Sequence, residues 1–196
     1  MKIAKILLVA WVCLCVLAPS QVATAQQGGR VKIGPDQRYL LLATKKTKTM
    51  QVELEEVASK GFRVVVGSPT SGSEMAILLE RVAEPPHTYQ YILLATTRTG
   101  TMQKELNETA AKGFRLLPRT MIAKEQMMGG IEIVVIMERP PGTPQRYQYL
   151  LLATTRTGTL QKEMSQAVAD GYVVVGMVSR DEHMAILEKP VGVQSY

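Results

Sequence analysis

The sequence predicts an α+β protein of three tandem β-α-β-β repeats, each a three-stranded sheet with one covering helix. Two regularities predict it. The segment Tyr39-Leu-Leu-Leu-Ala-Thr-Lys-Lys-Thr-Lys-Thr-Met-Gln51 recurs from Tyr91 to Gln103 and from Tyr149 to Gln161, at offsets of 52 and 58 residues. A glycine follows each opening tyrosine after 22 residues, at Gly61, Gly113 and Gly171. Between these fixed points every block passes from a continuous apolar run to apolar residues at helical spacing and back. Recurrence on this length scale marks one supersecondary unit used several times.

The elements follow in order. Tyr89-Gln-Tyr-Ile-Leu-Leu-Ala-Thr96 is a short apolar run ending in threonine, and reads as a strand buried on both faces. The next segment places Met50, Leu54, Val57 and Ala58 on one side in the first copy, and Leu160, Met164, Ala167 and Val168 in the third. That spacing is one face of a helix. Thr49, Thr101 and Thr159 are the expected N-caps, and the three glycines the expected C-terminal stops, because glycine adopts the left-handed conformation cheaply. Phe62 to Val66, Phe114 to Leu117 and Tyr172 to Val175 read as second strands. Met75 to Leu79, Ile131 to Met137 and Met184 to Leu187 read as third strands.

From each glycine to a closing glutamate (Glu80, Glu138, Glu188) the gap is 19, 25 and 17 residues, whereas Glu80 to Tyr91 and Glu138 to Tyr149 are both eleven. Variable length is therefore expected at the tip of the hairpin joining strands two and three. Gln51/Glu53, Gln103/Glu105 and Gln161/Glu163 are expected to open the helices, with acid complementing the dipole. Glu80-Arg81, Glu138-Arg139 and Glu188-Lys189 are expected to end the third strands with exposed charge.

A sheet covered by a helix on one face only is marginal in water at this size. The simplest arrangement packs the three bare faces together about a pseudo-threefold axis with helices outside; a continuous side-by-side sheet is the alternative. The expected boundaries are a signal peptide at 1–25, a linker at 26–37, repeats at 38–84, 85–142 and 143–190, and a tail at 191–196.

Composition narrows the class. Of 196 residues, 46% are hydrophobic and 20% charged, which suits a globular chain. Met1-Lys-Ile-Ala-Lys5, the apolar run from Ile6 to Ala18 and Ala23-Thr24-Ala25 form the three parts of a secretory signal. The run is too short to span a bilayer. Export to the periplasm or the extracellular space is expected. Without Lys2 and Lys5 the 23 bases exceed the 17 acids by four, which is no nucleic-acid footprint. Both cysteines, Cys13 and Cys15, lie in the leader, so no disulfide or thiolate-bound metal is expected in the exported chain.

Tyr147-Gln-Tyr149, Gly171-Tyr172 and Ile186-Leu-Glu-Lys-Pro190 resemble a family of small bacterial domains, the domain of unknown function 4177. The likeness extends over all three copies, roughly residues 38 to 190. It departs where that family has tryptophan and this chain has Phe62, Phe114 and Tyr172, and in the Thr-rich run. The resemblance implies the β-α-β-β fold and no particular activity.

Candidate chemistry centres on the Thr-Thr-Arg-Thr-Gly-Thr loop between strand one and the helix. Unpaired N–H groups and the dipole at a helix N-terminus favour an anion. Lys46, Arg98 and Arg156, with Thr99, Thr157, Gly100 and Gly158, are the candidate ligand-binding residues; the glycines would take positive φ and help form an amide nest. The competing reading makes the threonines caps and the bases solvated. Asp181-Glu182-His183 reads as a polar turn, His87 lies in a Pro-rich linker, and Met121, Met127 and Met128 read as a partner-contact loop. No cofactor, metal or catalytic residue is assigned. The expected function is an exported, non-enzymatic binding or interaction module, with an anionic small molecule, a glycan or another envelope protein as partner. Two alternatives stay open: an enzyme whose site forms between repeats, and a purely structural envelope component.

Overall fold

Thr44, Thr96 and Thr154 end the apolar runs, and each hydroxyl accepts a hydrogen bond from the backbone two residues on, at Lys46, Arg98 and Arg156 (3.3, 3.1 and 3.2 Å). These local turns swing the chain from strand into helix. The computed structural model describes residues 31–82, 89–126, 129–142 and 145–192. The expected signal peptide, His87, Pro85-Pro86, Pro144, Met127 and Met128 lie outside the described residues.

Unit 1 comprises β1 (Tyr39–Thr44), α1 (Thr47–Ala58), β2 (Phe62–Pro69) and β3 (Met75–Arg81). Unit 2 comprises β4 (Gln90–Thr96), α2 (Thr99–Ala111), β5 (Arg115–Leu116), a 3-10 turn (Pro118–Thr120), β6 (Ile122–Glu125) and β7 (Ile131–Arg139). Unit 3 comprises β8 (Arg146–Thr154), α3 (Thr157–Ala169), β9 (Val173–Ser179) and β10 (His183–Val191). The protein is thus α+β, with three antiparallel sheets and a helix in each unit. The last strand lies in the middle of each sheet, in the orders β1-β3-β2, β4-β7-β5 and β8-β10-β9. The helix therefore links two outer strands that run the same way with a third between them.

Four local expectations change. The helices begin at Thr47, Thr99 and Thr157, so Thr49, Thr101 and Thr159 lie inside the first turn; the N-cap residues are Lys46, Arg98 and Arg156, without a side-chain cap. Glu53, Glu105 and Glu163 consequently fall beyond the first turn, which holds no acid. Gly61, Gly113 and Gly171 do end the helices at φ of 82°, 89° and 88°, whereas Gly100 and Gly158 are helical and lack positive φ. The strand β1 is exposed on one face, not buried on both.

A further change concerns length. The tips at 70–74 and 126–130 both hold five residues, so the six extra residues of unit 2 are not in its hairpin tip. They form a detour that splits its second strand into β5 and β6, both along the same edge of β7. Pro118 lacks an N–H and cannot join the ladder. Thr120 closes the gap: its Oγ1 accepts from the Ile136 N–H at 3.0 Å, and the Leu117 N–H donates to the Ile136 carbonyl at 2.9 Å.

The core records how the units meet. One cluster joins α1 and the unit 1 sheet (Leu42, Met50, Leu54, Ile77) to Tyr91, Ile122, Val134 and Ile136 of unit 2. A second joins α2 (Met102, Leu106, Ala110), Val135 and Met137 to Tyr149 and Ile186 of unit 3. Alternate residues of β7 thus serve both clusters, and the unit 2 sheet is buried on both faces. The third cluster, Leu160, Ala167, Ala185 and Leu187, belongs to unit 3 alone. Each helix packs on its own sheet, and α1 and α2 also pack on the opening strand of the following unit, β4 and β8.

The detour wedges both joints. A Cβ on Gly67 of β2 would lie 2.9 Å from Ile77 Cδ1, 3.0 Å from Ile122 Cδ1 and 3.3 Å from the Thr120 backbone. Gly176 of β9 lies as closely against Met121 and the Pro118 carbonyl. Gly67→Val is expected to destabilise the protein by about 1–3 kcal/mol through overpacking, read as a lower urea midpoint, whereas Gly100→Ala, which meets open space, lowers it by no measurable amount.

Candidate functional site

Polar residues that recur between units converge where one unit meets the next. In the first joint Glu138 at the end of β7 is buried. Arg63 of β2 reaches across the joint and donates from Nε at 3.0 Å and from Nη2 at 2.7 Å, one bond to each carboxylate oxygen. The Tyr91 hydroxyl donates to the same carboxylate at 2.9 Å and accepts from the Val64 N–H at 3.1 Å. The guanidinium lies over the Tyr89 ring, 4.5 Å from its centroid.

The second joint repeats the arrangement. Arg115 donates to Glu188 from Nε at 3.1 Å and Nη2 at 2.5 Å, Tyr149 donates to it at 3.1 Å and accepts from the Leu116 N–H at 2.8 Å, and Arg115 lies 4.3 Å from the Tyr147 centroid. A two-pronged guanidinium–carboxylate pair fixes orientation as well as distance. Such a pair adds little net stability, because desolvation offsets attraction, but removing one partner strands a buried charge. Burial pushes the Tyr91 and Tyr149 hydroxyls well above the usual phenol range, helped by the adjacent carboxylates, so both stay protonated donors. The hydrogen bonds to Glu138 and Glu188 hold Arg63 and Arg115 above the usual guanidinium value.

The helices contribute a second clasp. Gln51 Nε2 donates to the Tyr91 carbonyl at 2.9 Å and its Oε1 accepts from the Leu93 N–H at 2.7 Å, pairing the outer edge of β4 as another strand would. On β8 the Leu151 N–H donates to Gln103 Oε1 at 2.9 Å, while Asn107 donates to the Tyr149 carbonyl and accepts from its N–H, both at 2.9 Å. An exposed strand edge is a template for stray pairing, and these side chains block it.

The sequence predicts exposed closing glutamates; Glu138 and Glu188 are instead buried, because the preceding unit supplies an arginine and their own unit's opening strand a tyrosine. The bases beside them stack on their own unit's aromatic: Arg81 on Phe62, Arg139 on Phe114 and Lys189 on Tyr172. Neither Arg63 and Arg115 nor the glutamine clasps stood out as functional from sequence alone. Their signal is recurrence: Phe-Arg after two of the three glycines, Gln at one position of every helix, and Tyr-x-Tyr at the start of two of the opening strands.

The Thr-rich loops lie at three separate helix starts. The side chains of Lys46, Arg98 and Arg156 are exposed at the starts of three separate helices, Thr99 and Thr157 are the first helical residues, and a Cβ on Gly100 or Gly158 would meet nothing within 4 Å. Loops two and three do share a cleft of about 410 Å³, lined by Thr97, Thr155, Arg180, Asp181 and Glu182, which the loop of unit 1 does not line. A cleft of about 430 Å³ opens beside Arg63, Arg115, Glu138 and Tyr147. His183 Nδ1 lies 2.9 Å from Ser179 Oγ. Among the described residues no three His, Asp or Glu side chains are grouped to hold a metal, and no helix is long and apolar enough to cross a membrane.

Protein-family models, curated proteins and solved structures contain no match to this chain.

Tyr149→Phe removes one donor from buried Glu188 and the acceptor of the Leu116 N–H, and is expected to cost about 1–3 kcal/mol; Tyr39→Phe, at an exposed position, should change thermal stability by less than about 0.5 kcal/mol. Glu53 offers a pH test. Its carboxyl is buried in α1, Oε2 has no hydrogen-bond partner, and burial, with Glu56 nearby, raises its pKa. A raised folded pKa means that stability present below the unfolded value is lost as pH rises through the folded one. Glu53→Gln should therefore raise the melting temperature at pH 7, with the gain shrinking as pH falls toward about 4.3, the ordinary glutamate value.

Proposed function

We propose that the chain is an exported, non-enzymatic interaction module made of three tandem copies of one β-α-β-β fold, of the kind that the resemblance to domain of unknown function 4177 implies. The observation that carries it is the engagement of the recurring polar residues. Arg63, Arg115, Tyr91, Tyr149, Glu138, Glu188, Gln51 and Gln103 are committed to bonds between units. What recurs in the sequence is thus a way of joining copies. Core clusters that join unit 1 to unit 2 and unit 2 to unit 3 support an open row of copies, in place of the pseudo-threefold packing expected from sequence. The leader-like first 25 residues support export.

Function then falls to the surface that the joints leave over. Unit 3 exposes Val168, Val173, Val174 and Met177, a group of large apolar side chains on one unit. Exposed apolar groups of this kind mark protein contacts. The anion-binding reading has narrower support, three exposed basic side chains at separate helix starts. A photo-cross-linkable residue at position 177, expressed in the native cells, is expected to yield protein adducts well above those from position 104 on exposed Lys104. Equal yields at the two positions would reject the module reading.

A further inference from the structure

The two joints within the chain are built alike, and each needs two unlike halves. The leading half is the helix side of one unit; the following half is the bare sheet face and outer edge of the next. Three units make two joints, so one half of each kind is left over. Unit 1 keeps a following half. Tyr39 and Leu41 stand at the positions of Tyr91 and Leu93, yet Tyr39 is 47% exposed where Tyr91 and Tyr149 are 3% and 2%. Among the described residues no helix glutamine faces the outer edge of β1, whereas β4 and β8 are clasped by Gln51 and Gln103.

Unit 3 keeps a leading half. Gln161 stands at the position of Gln51 and Gln103, exposed, with its amide turned to Ser165 of its own helix. Val168 is exposed where Ala58 and Ala110 are buried in the joints, and Val174 is exposed where Val64 and Leu116 are buried beside a tyrosine hydroxyl. A terminal unit that ends a stack carries a polar outer face. Unit 3 does the opposite, and Val173 and Met177 beside these residues are 63% and 58% exposed.

The one polar element that unit 3 lacks is supplied from the other side. Val173 stands where Arg63 and Arg115 reach for the next unit's glutamate. In unit 1 the corresponding Glu80 already holds a guanidinium, that of its own Arg38, with Nε at 3.1 Å and Nη2 at 2.9 Å. An apolar residue at 173 thus meets a glutamate whose charge is already balanced.

From these leftover halves we infer that unit 3 of one chain receives the sheet face and β1 edge of unit 1 of a second copy, forming a third joint of the same design. Gln161 then clasps the second copy's Leu41 N–H and its Tyr39 carbonyl, taking the place of that copy's Gln37 amide, which donates to that carbonyl at 3.0 Å. The second copy's Tyr39 hydroxyl accepts from the Val174 N–H. The association is head-to-tail, so it leaves a free half at each end and extends into longer rows or a ring. It rests on the reading of the units as copies of one joint-forming fold.

Sedimentation of the purified chain over a range of concentrations tests it. The average mass should rise with concentration. Val173→Glu spoils only the leading half and Leu41→Lys only the following half, so each variant alone should lose at least about tenfold in association constant, the effect of a central interface residue. Mixed together they retain one good half each and should form a dimer that grows no further, which also shows that both are folded. Val173→Arg, competing with Arg38 for the second copy's Glu80, should leave association intact or strengthen it. A wild-type chain that stays monomeric throughout, including one whose own residues 1–30 protect the β1 edge from hydrogen exchange, overturns the inference. So does a mixture that gives no dimer. Heterotypic adducts at position 177 from a chain that stays monomeric would remove self-association and leave the module reading standing.

Discussion

A three-stranded sheet of this size covered by one helix has a second face that water would otherwise wet, and covering that face governs the rest of the structure. Units 2 and 3 cover it with the helix side of the unit before. The result is a row of alternating sheet and helix layers, in which the middle sheet is buried on both sides and the first and last layers are not. The size of the three core clusters follows from this position. Among the described residues fifteen buried side chains form the first and ten the second, but only four the third, where no neighbouring sheet covers α3.

Apolar contact alone would let the layers slide, since aliphatic packing is weakly directional. The Arg–Glu–Tyr cluster and the glutamine clasps supply direction. A forked guanidinium meeting a carboxylate has one good geometry, and a glutamine amide bonded to one N–H and one carbonyl of a strand fixes register to a single residue. Both devices sit at the rim, where Arg63 and Arg115 keep about half of their side chains in water and the desolvation cost stays moderate. Stability comes from the clusters, and uniqueness of the joint from the polar rim.

The middle unit departs from its neighbours for a related reason. It alone is flanked on both sides, and its split second strand presents Pro118, Thr120, Met121 and Ile122 to the other two. The glycines facing that detour, Gly67 and Gly176, both have negative φ, so the lack of a side chain there answers to space and not to backbone conformation. An insertion that looks like a lengthened loop is the piece that brings the second strands of the outer units against the centre.

Much of this was legible in the residues themselves. Helix spacing at Met50, Leu54 and Val57, glycine stops at 61, 113 and 171, and apolar runs of strand length are local signals, written within a few residues of where they act. Each helix opens three residues before the capping position that pattern suggests, because threonine hydroxyls at 44, 96 and 154 turn the chain early. Which strand lies in the middle, that Glu138 and Glu188 are buried, and that Gln51 serves another unit's strand were decided by the tertiary structure alone. Those facts depend on pairs 40 to 75 residues apart, such as Arg63 with Glu138. A carboxylate's environment is set by whatever the fold brings to it, and a sequence records the carboxylate without its surroundings.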